Sequence, residues 1–276
     1  MGARRERLDV LLVERGFFAT RSAARAAVMA GLVQVDGQPA GKSGMPVDSG
    51  AEVQVRQLPR YVSRGGLKLA KALAEFAVDV HGKTAIDVGA STGGFTDCLL
   101  QAGASRVYSI DVGYGQLDWR LRQDERVVVM ERTNIRRLSP GQVGESVALA
   151  VIDVSFISLT LVLPVLKSLD VPEIIALVKP QFEVGKGRVG KRGVVRAAAD
   201  HLAVLERVVA AAAKEGYVAA GVTYSPLRGP EGNIEYLLYL CRDGLAEMPD
   251  KAKFVGVVTA AHEEFLLKGN LPPHGE

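Results

Sequence analysis

Between Thr84 and Phe95 the chain reads TAIDVGASTGGF, an apolar run closed by Asp87, then small residues and glycines, then Thr96-Asp97-Cys98-Leu99-Leu100. No other stretch limits the fold so strongly, because strand, tight loop and helix start must follow one another within a few residues. Gly89, Gly93 and Gly94 let a ligand approach the backbone, and the helix N-terminus offers unpaired N–H groups. The spacing G-x-x-x-G-G lacks the G-x-G-x-x-G pattern that cradles a pyrophosphate. The loop therefore predicts a pocket for an adenine nucleotide or a related cofactor, contacted by Asp87, Gly89, Ser91, Gly93, Gly94 and Phe95.

Beyond this loop, apolar runs alternate with helical patterns, as a doubly wound parallel sheet requires. Strands are expected at Thr84–Val88, Arg106–Asp111, Val127–Glu131, Ala148–Asp153, Ile174–Lys179, Tyr217–Tyr224 and Ile234–Cys241, with a long helix over Ala197–Glu215. In such sheets ligands bind at the carboxyl ends of the strands. Asp111 ends the second strand, where an acid can hold ribose hydroxyls or simply cap a surface turn. Asn134 follows the third, placed either to reach an adenine edge or to close an Asx turn.

Ahead of this region lies a smaller module. Leu8, Leu11 and Leu12 share a helical face closed by Gly16, Thr20 caps a second helix over Arg21–Ala30, and Gly31 ends it. Two short alternating strands follow, Leu32–Val35 before an Asp36-Gly37 turn and Glu52–Val55. The expected division is 1–58 for this module, 59–63 for a linker around Pro59, and 64–276 for the larger domain. Residues 1–62 hold nine Lys/Arg against six acids, so the whole formal excess of +3 sits there and the remainder is neutral. Arg4, Arg5, Arg7, Arg21 and Arg25 gather near the helix starts, either as phosphate contacts or as a solvated face.

The candidate chemistry sits at strand ends. Asp153 closes the fourth strand and Lys179 the fifth, and a lysine ending a buried apolar strand requires a partner. It forms either a structural ion pair with Asp153 or a desolvated base able to take a proton from an alcohol. Lys68 and Glu235 would complete a charge-balanced set. The loop Phe182–Val195 carries Lys186, Arg188, Lys191 and Arg192 among glycines, a composition that suits ordering on phosphates.

Three blocks of residues carry family resemblances. R-L-D-x-x-L-x-x-x-G, T-R-S-x-A and G-x-V-x-V-D-G over about residues 7–56 resemble the S4-type RNA-binding domain, which implies contact with structured RNA by shape and phosphate. The seven-strand layout with a final hairpin resembles a Rossmann-like class I methyltransferase. Ser63-Arg64-Gly65-Gly66-Leu67-Lys68-Leu69, the Asp87–Phe95 loop, Asp111–Leu117, Glu131–Asn134, Asp153–Ser158, Lys179–Gly187 and Gly232–Tyr236 together are similar to the TlyA family, whose members are often labelled haemolysins.

That resemblance implies an α/β fold with a seven-stranded, mostly parallel FtsJ-like domain after a small α+β S4-type domain. It implies S-adenosylmethionine as cofactor, a cytidine ribose 2′-hydroxyl of ribosomal RNA or ribosomal subunits as acceptor, and a K-D-K-E tetrad on Lys68, Asp153, Lys179 and Glu235. Lys179 would activate the hydroxyl, with Asp153 also beside the cofactor. Lys186 and Arg188 join the N-terminal arginines as expected RNA contacts. One departure lies in the connector, where the family often has R-x-W-V and this chain has Arg60-Tyr61-Val62.

Other classes fare less well. A base N-methyltransferase commonly shows Asn/Asp-Pro-Pro-aromatic at the fourth strand end, against Asp153-Val154-Ser155-Phe156 here. A membrane-lytic protein needs an independent apolar or amphipathic segment, whereas Ala148–Leu166 is interrupted by Asp153 and Pro164. An RNA-binding protein without activity would not need the tetrad. Two distant cysteines and four histidines suggest neither disulfides nor a metal, and the arginine-rich start has no apolar signal core, so a cytoplasmic protein is expected. Past residue 242 only a helix over Ala252–Leu267 is foreseen.

Overall fold

The computed structural model describes residues 5–56, 59–185, 187–242 and 249–269. The chain divides into two compact units, Met1–Arg60 and Tyr61–Glu276.

The first unit comprises β1 (Arg5–Arg7), α1 (Leu8–Glu14), α2 (Arg21–Met29), β2 (Val33–Val35), β3 (Gln38–Pro39), β4 (Pro46–Asp48) and β5 (Val53–Val55). Leu8, Leu11 and Leu12 of α1 pack with Ala24, Ala27 and Val28 of α2 onto Val33 and Val35. The Thr20 hydroxyl accepts a hydrogen bond from the Ala23 amide, 3.2 Å, as an N-cap should. β2 pairs antiparallel with β5 as well as with β3 across the Asp36-Gly37 turn. A second ladder, β1 against β4, has no counterpart in the sequence reading.

The second unit opens with α3 (Gly65–Glu75), β6 (Thr84–Val88), α4 (Gly94–Gln101), β7 (Arg106–Ile110), α5 (Trp119–Arg122) and β8 (Val127–Met130). It continues through β9 (Leu149–Ile152), α6 (Leu163–Ser168), β10 (Glu173–Val178), α7 (Pro180–Glu183), α8 (Ala198–Lys214), β11 (Val218–Tyr224), β12 (Tyr236–Cys241) and α9 (Lys251–Gly269). The sheet order is β11-β12-β10-β9-β6-β7-β8, with β12 antiparallel to both neighbours.

Apolar residues on both strand faces explain why these segments read as continuous hydrophobic runs. Ile86, Val88, Ile152, Ile174, Ala176 and Val178 face one layer with Val204, Leu205 and Val208 of α8. Ala85, Val107, Leu149, Val151, Ile175 and Leu177 face the other, with Leu69 and Ala72 of α3 and Leu99 of α4. Each Val, Leu or Ile among them contributes about 1.5–3 kcal/mol on burial. Chain order reverses between β6 and β9, so the carboxyl ends of these strands open a crevice suited to a ligand.

The connector is held by the second unit. The Val62 amide donates to Asp97 Oδ2 at 2.8 Å, and a Cβ on Gly66 would lie 2.3 Å from the Tyr61 ring. Among the described residues no helix is long and apolar enough to cross a membrane.

Candidate active site

The glycine loop leaves β6 in a left-handed path, with φ of 89° at Gly89, 50° at Ser91 and 97° at Gly93. A Cβ on Gly89 would sit 2.6 Å from the Asp153 carbonyl oxygen, so only glycine lets the β6 and β9 ends come this close. Asp111 clamps the loop: its carboxylate accepts from the Ser91 amide at 2.8 Å and the Gly113 amide at 2.7 Å. Gly94 abuts Ser63 and Gly66, where any side chain would collide, and so brings α4 against α3.

Two cavities meet at this loop. One, of about 290 Å³, is lined by Gly89, Ser91, Gly94, Phe95, Lys68, Asp153 and Lys179 among others. The second, of about 640 Å³, is bordered by Asp111, Asn134, Val154 and Phe156 and shares Gly89, Ser91, Asp153 and Ser155 with the first. The cofactor-contact residues expected from sequence thus come together, with two exceptions. Asp87 and Gly93 border neither cavity.

Asp87 is fully buried beneath the loop, where its Oδ2 accepts from Thr96 Oγ1 at 2.7 Å, and Thr96 also bonds Ser109. It shapes the loop from below. Burial pushes its carboxyl up to about 7, the Thr96 hydrogen bond opposing and the Asp153 charge adding to the rise. Gly93 packs under Leu117 and Leu121 and starts α4. Asn134 caps a short turn, its Oδ1 accepting from the Arg136 amide at 3.0 Å, which is the Asx-turn alternative. Its amide nitrogen has no hydrogen-bond partner among the described residues.

Lys68, Asp153, Lys179 and Glu235 are brought together from α3 and from the ends of β9, β10 and β12. Lys68 Nζ lies 2.6 Å from Glu235 Oε2, with 11% and 1% of the side chains exposed. Burial raises the Glu235 carboxyl above its ordinary value, while the Lys68 and Lys179 charges work against that rise. Lys179 Nζ lies 2.6 Å from Asp153 Oδ1, an ion pair without hydrogen-bond alignment, and donates to Ser155 Oγ at 2.9 Å. Of the two alternatives for Lys179 the ion pair with Asp153 is formed, and both residues line the cavity.

Glu235 lies just before β12 rather than within it, and two residues earlier Asn233 is engaged by the loop ahead. Asn233 donates to the Gly193 carbonyl and accepts from the Val195 amide, both at 2.9 Å, tying the Gly193–Val195 segment to the chain just ahead of β12 and close to Glu235. Gly229 has no room for a Cβ, which would fall 2.7 Å from Glu235 Oε1. Sequence reasoning assigned no role to Ser155, Asn233 or Gly229. Their signal was only proximity to the tetrad in the chain.

Of the expected RNA contacts, Arg4 and Lys186 lie outside the described residues. Arg7 and Arg21 converge on buried Asp9, each with a nitrogen 3.0 Å from its carboxylate, yet remain 54% and 57% exposed. The Arg7 hydrogen bond brings the Asp9 carboxyl down to about 2, against the opposing effect of burial. Arg5 and Arg25 are exposed. Arg188 reaches Asp200 of α8 at 3.3 Å. Among the described residues no group of three or more His, Cys, Asp or Glu forms a candidate metal site.

A doubly wound seven-stranded sheet, a glycine loop at its switch point and a lysine–carboxylate tetrad at its strand ends define an FtsJ-like methyltransferase domain. The FtsJ-like methyltransferase family matches residues 61–242, and the S4 domain matches residues 6–53. The 16S/23S rRNA (cytidine-2′-O)-methyltransferase TlyA of Mycobacterium tuberculosis is 51% identical over 247 residues, covering 86% of this chain and 90% of that protein. YqxC of Bacillus subtilis is 52% identical over 276 residues, covering 97% and 98%. The solved structure of a hemolysin-named protein from Streptococcus thermophilus superposes with a TM-score of 0.75 at 45% identity, over 98% of this chain and 100% of that one. The chain belongs to the TlyA family.

Proposed function

We propose that this protein transfers a methyl group from S-adenosylmethionine to the 2′-hydroxyl of a cytidine ribose in ribosomal RNA, acting in the cytoplasm on RNA or ribosomal subunits. The observation that carries this reading is the placement of Lys179 Nζ between Asp153 and Ser155 on the wall of the cavity that the glycine loop also lines.

The residues present fit the cofactor. Gly89 keeps open a cradle that a Cβ would fill, and a 640 Å³ cavity lies within the range of about 300–1,000 Å³ usual for small-molecule sites. Gly89, Ser91, Gly94 and Phe95 would hold its amino-acid end, and Asp111 and Asn134 its nucleoside end. When bound, it supplies an electrophilic methyl group. The protein's own contribution is alignment and proton removal.

Lys179 would accept the proton that the ribose O2′ gives up on methylation, the bound cofactor losing its methyl group from sulfur and leaving as a neutral thioether. For this Nζ must be neutral and aimed, and Asp153 with Ser155 take up its other directions. Lys68 and Glu235 balance each other in the adjoining site, and the Asp153 carboxylate compensates the ammonium that forms on Lys179. Arg5, Arg7, Arg21, Arg25 and Arg188 are proposed as phosphate contacts.

Lys179→Met tests the assignment. Cofactor binding by calorimetry should persist while single-turnover methyl transfer to ribosomal RNA falls by a factor of about 10² or more; full transfer by this variant would refute the role of Lys179.

A further inference from the structure

The tetrad neutralises itself, Lys68 against Glu235 and Lys179 against Asp153. Two further cations, Arg64 and Arg228, line the same 290 Å³ cavity, and neither has a carboxylate partner among the described residues. The lining of a balanced site thus carries excess positive charge, and no part of the mechanism above uses Arg228.

Arg228 is exposed, yet it is fixed from both ends. Ser225 Oγ donates to the Leu227 carbonyl at 2.6 Å, and the Gly229 amide donates to the Asn233 carbonyl at 2.9 Å, so the backbone on either side is pinned. The guanidinium donates from Nη2 to the Phe265 carbonyl near the C-terminal end of α9, a helix pole that favours cations. It also lies 5.0 Å from the Phe265 ring centroid. Phe265 is itself buried and packs edge-on to Tyr224 at 6.4 Å.

Holding α9 consumes one donor of a group that has five. The remaining four donors belong to a side chain that lines the same cavity as Lys179.

We propose that Arg228 binds the phosphodiester next to the target ribose, and that α9 serves as its mount. This rests on the reading of the site as an RNA 2′-O-methyltransferase. A ribose within an RNA chain carries a phosphodiester on the carbon adjacent to its 2′-hydroxyl. Bringing that hydroxyl to Lys179 brings a negative charge to the cavity that Arg228 also lines, where the paired tetrad has no charge to spare. The cofactor carboxylate is the other anion of this site, but the N-terminus of α4 already offers it backbone N–H groups at Gly94 and Phe95.

The test uses the full chain, a ribosomal RNA transcript and S-adenosylmethionine. Arg228→Ala should raise the KM for RNA about five- to tenfold and lower the slope of log affinity against log salt by about 0.7–0.9, the loss of one phosphate contact. Cofactor affinity by calorimetry should stay within about twofold of the unaltered protein, since the contact is to phosphate alone. Arg228→Lys should restore the salt slope while recovering KM only in part, because an ammonium lacks the fork geometry. Phe265→Leu keeps the charge but loosens its mount, and should raise KM without changing the slope.

An unchanged salt slope in Arg228→Ala, or a defect confined to cofactor binding, overturns the assignment. Absence of methyl transfer by the unaltered protein would instead refute the proposed function, so the two failures are distinguishable.

Discussion

Replacing Asp87 by Asn should change how the second unit's stability depends on pH. The Asp87 carboxyl is wholly buried, its Oδ1 has no hydrogen-bond partner, and burial raises its pKa from 3.8 to about 7. Between these values the folded state holds a proton that the unfolded chain has released. Stability therefore falls as pH rises through that window, and the cost is complete above about 7. The separation corresponds to about 4 kcal/mol in total, of which about 2–3 kcal/mol accumulates between about pH 5 and pH 8. Asn carries no charge; its cost is an amide with an unpaired N–H group, about 1–3 kcal/mol at every pH. Thermal unfolding followed by circular dichroism should show the difference in midpoint between Asp87→Asn and the unaltered protein moving in favour of Asn by about 5–10 °C from about pH 5 to pH 8. A difference that stays constant over this range would refute a protonated, desolvated Asp87.

Lys68→Met strands Glu235 as a buried unpaired carboxylate and should cost about 3–5 kcal/mol, whereas Lys68→Met combined with Glu235→Gln should recover most of it in urea unfolding. Gly89→Ala must adopt a left-handed backbone and push against the Asp153 carbonyl, so a loss of about 2–4 kcal/mol and no calorimetric cofactor binding are expected. Asp9 stabilises the first unit above about pH 3.8, and that contribution is lost as pH falls through about 2. Asp9→Asn should therefore differ from the unaltered protein at neutral pH, with the gap closing near about pH 2 in an acid titration.

The seven strands of the large sheet were legible because buried parallel strands are apolar throughout and end in polar residues at the crevice. Observed ends fall within two residues of expectation, with Ile234 and Glu235 the main excess. The β1–β4 ladder was not legible, since Arg5-Glu6-Arg7 and Pro46-Val47-Asp48 carry no alternating apolar signal and pair by position alone. Asp153 and Lys179 could be read from residue types at strand ends, whereas the full set with Lys68 and Glu235 rested on the family resemblance. The support of that set could not be read: Ser155 beneath Lys179 and Asn233 across the Gly193–Val195 loop act through hydrogen bonds between segments 24 to 40 residues apart. The place of Asp87 was hard to read for a related reason. Its position near the end of an apolar strand suits a ligand contact as well as a buried prop, and the Thr96 hydroxyl that it accepts from could not be foreseen from the chain.

The central claim is that this site methylates a ribose and not a base. Ribosomal RNA and assembled subunits incubated with the protein and methyl-labelled S-adenosylmethionine, then digested to nucleosides, test it most directly. The account predicts label in 2′-O-methylcytidine; label in a base-methylated nucleoside would contradict it.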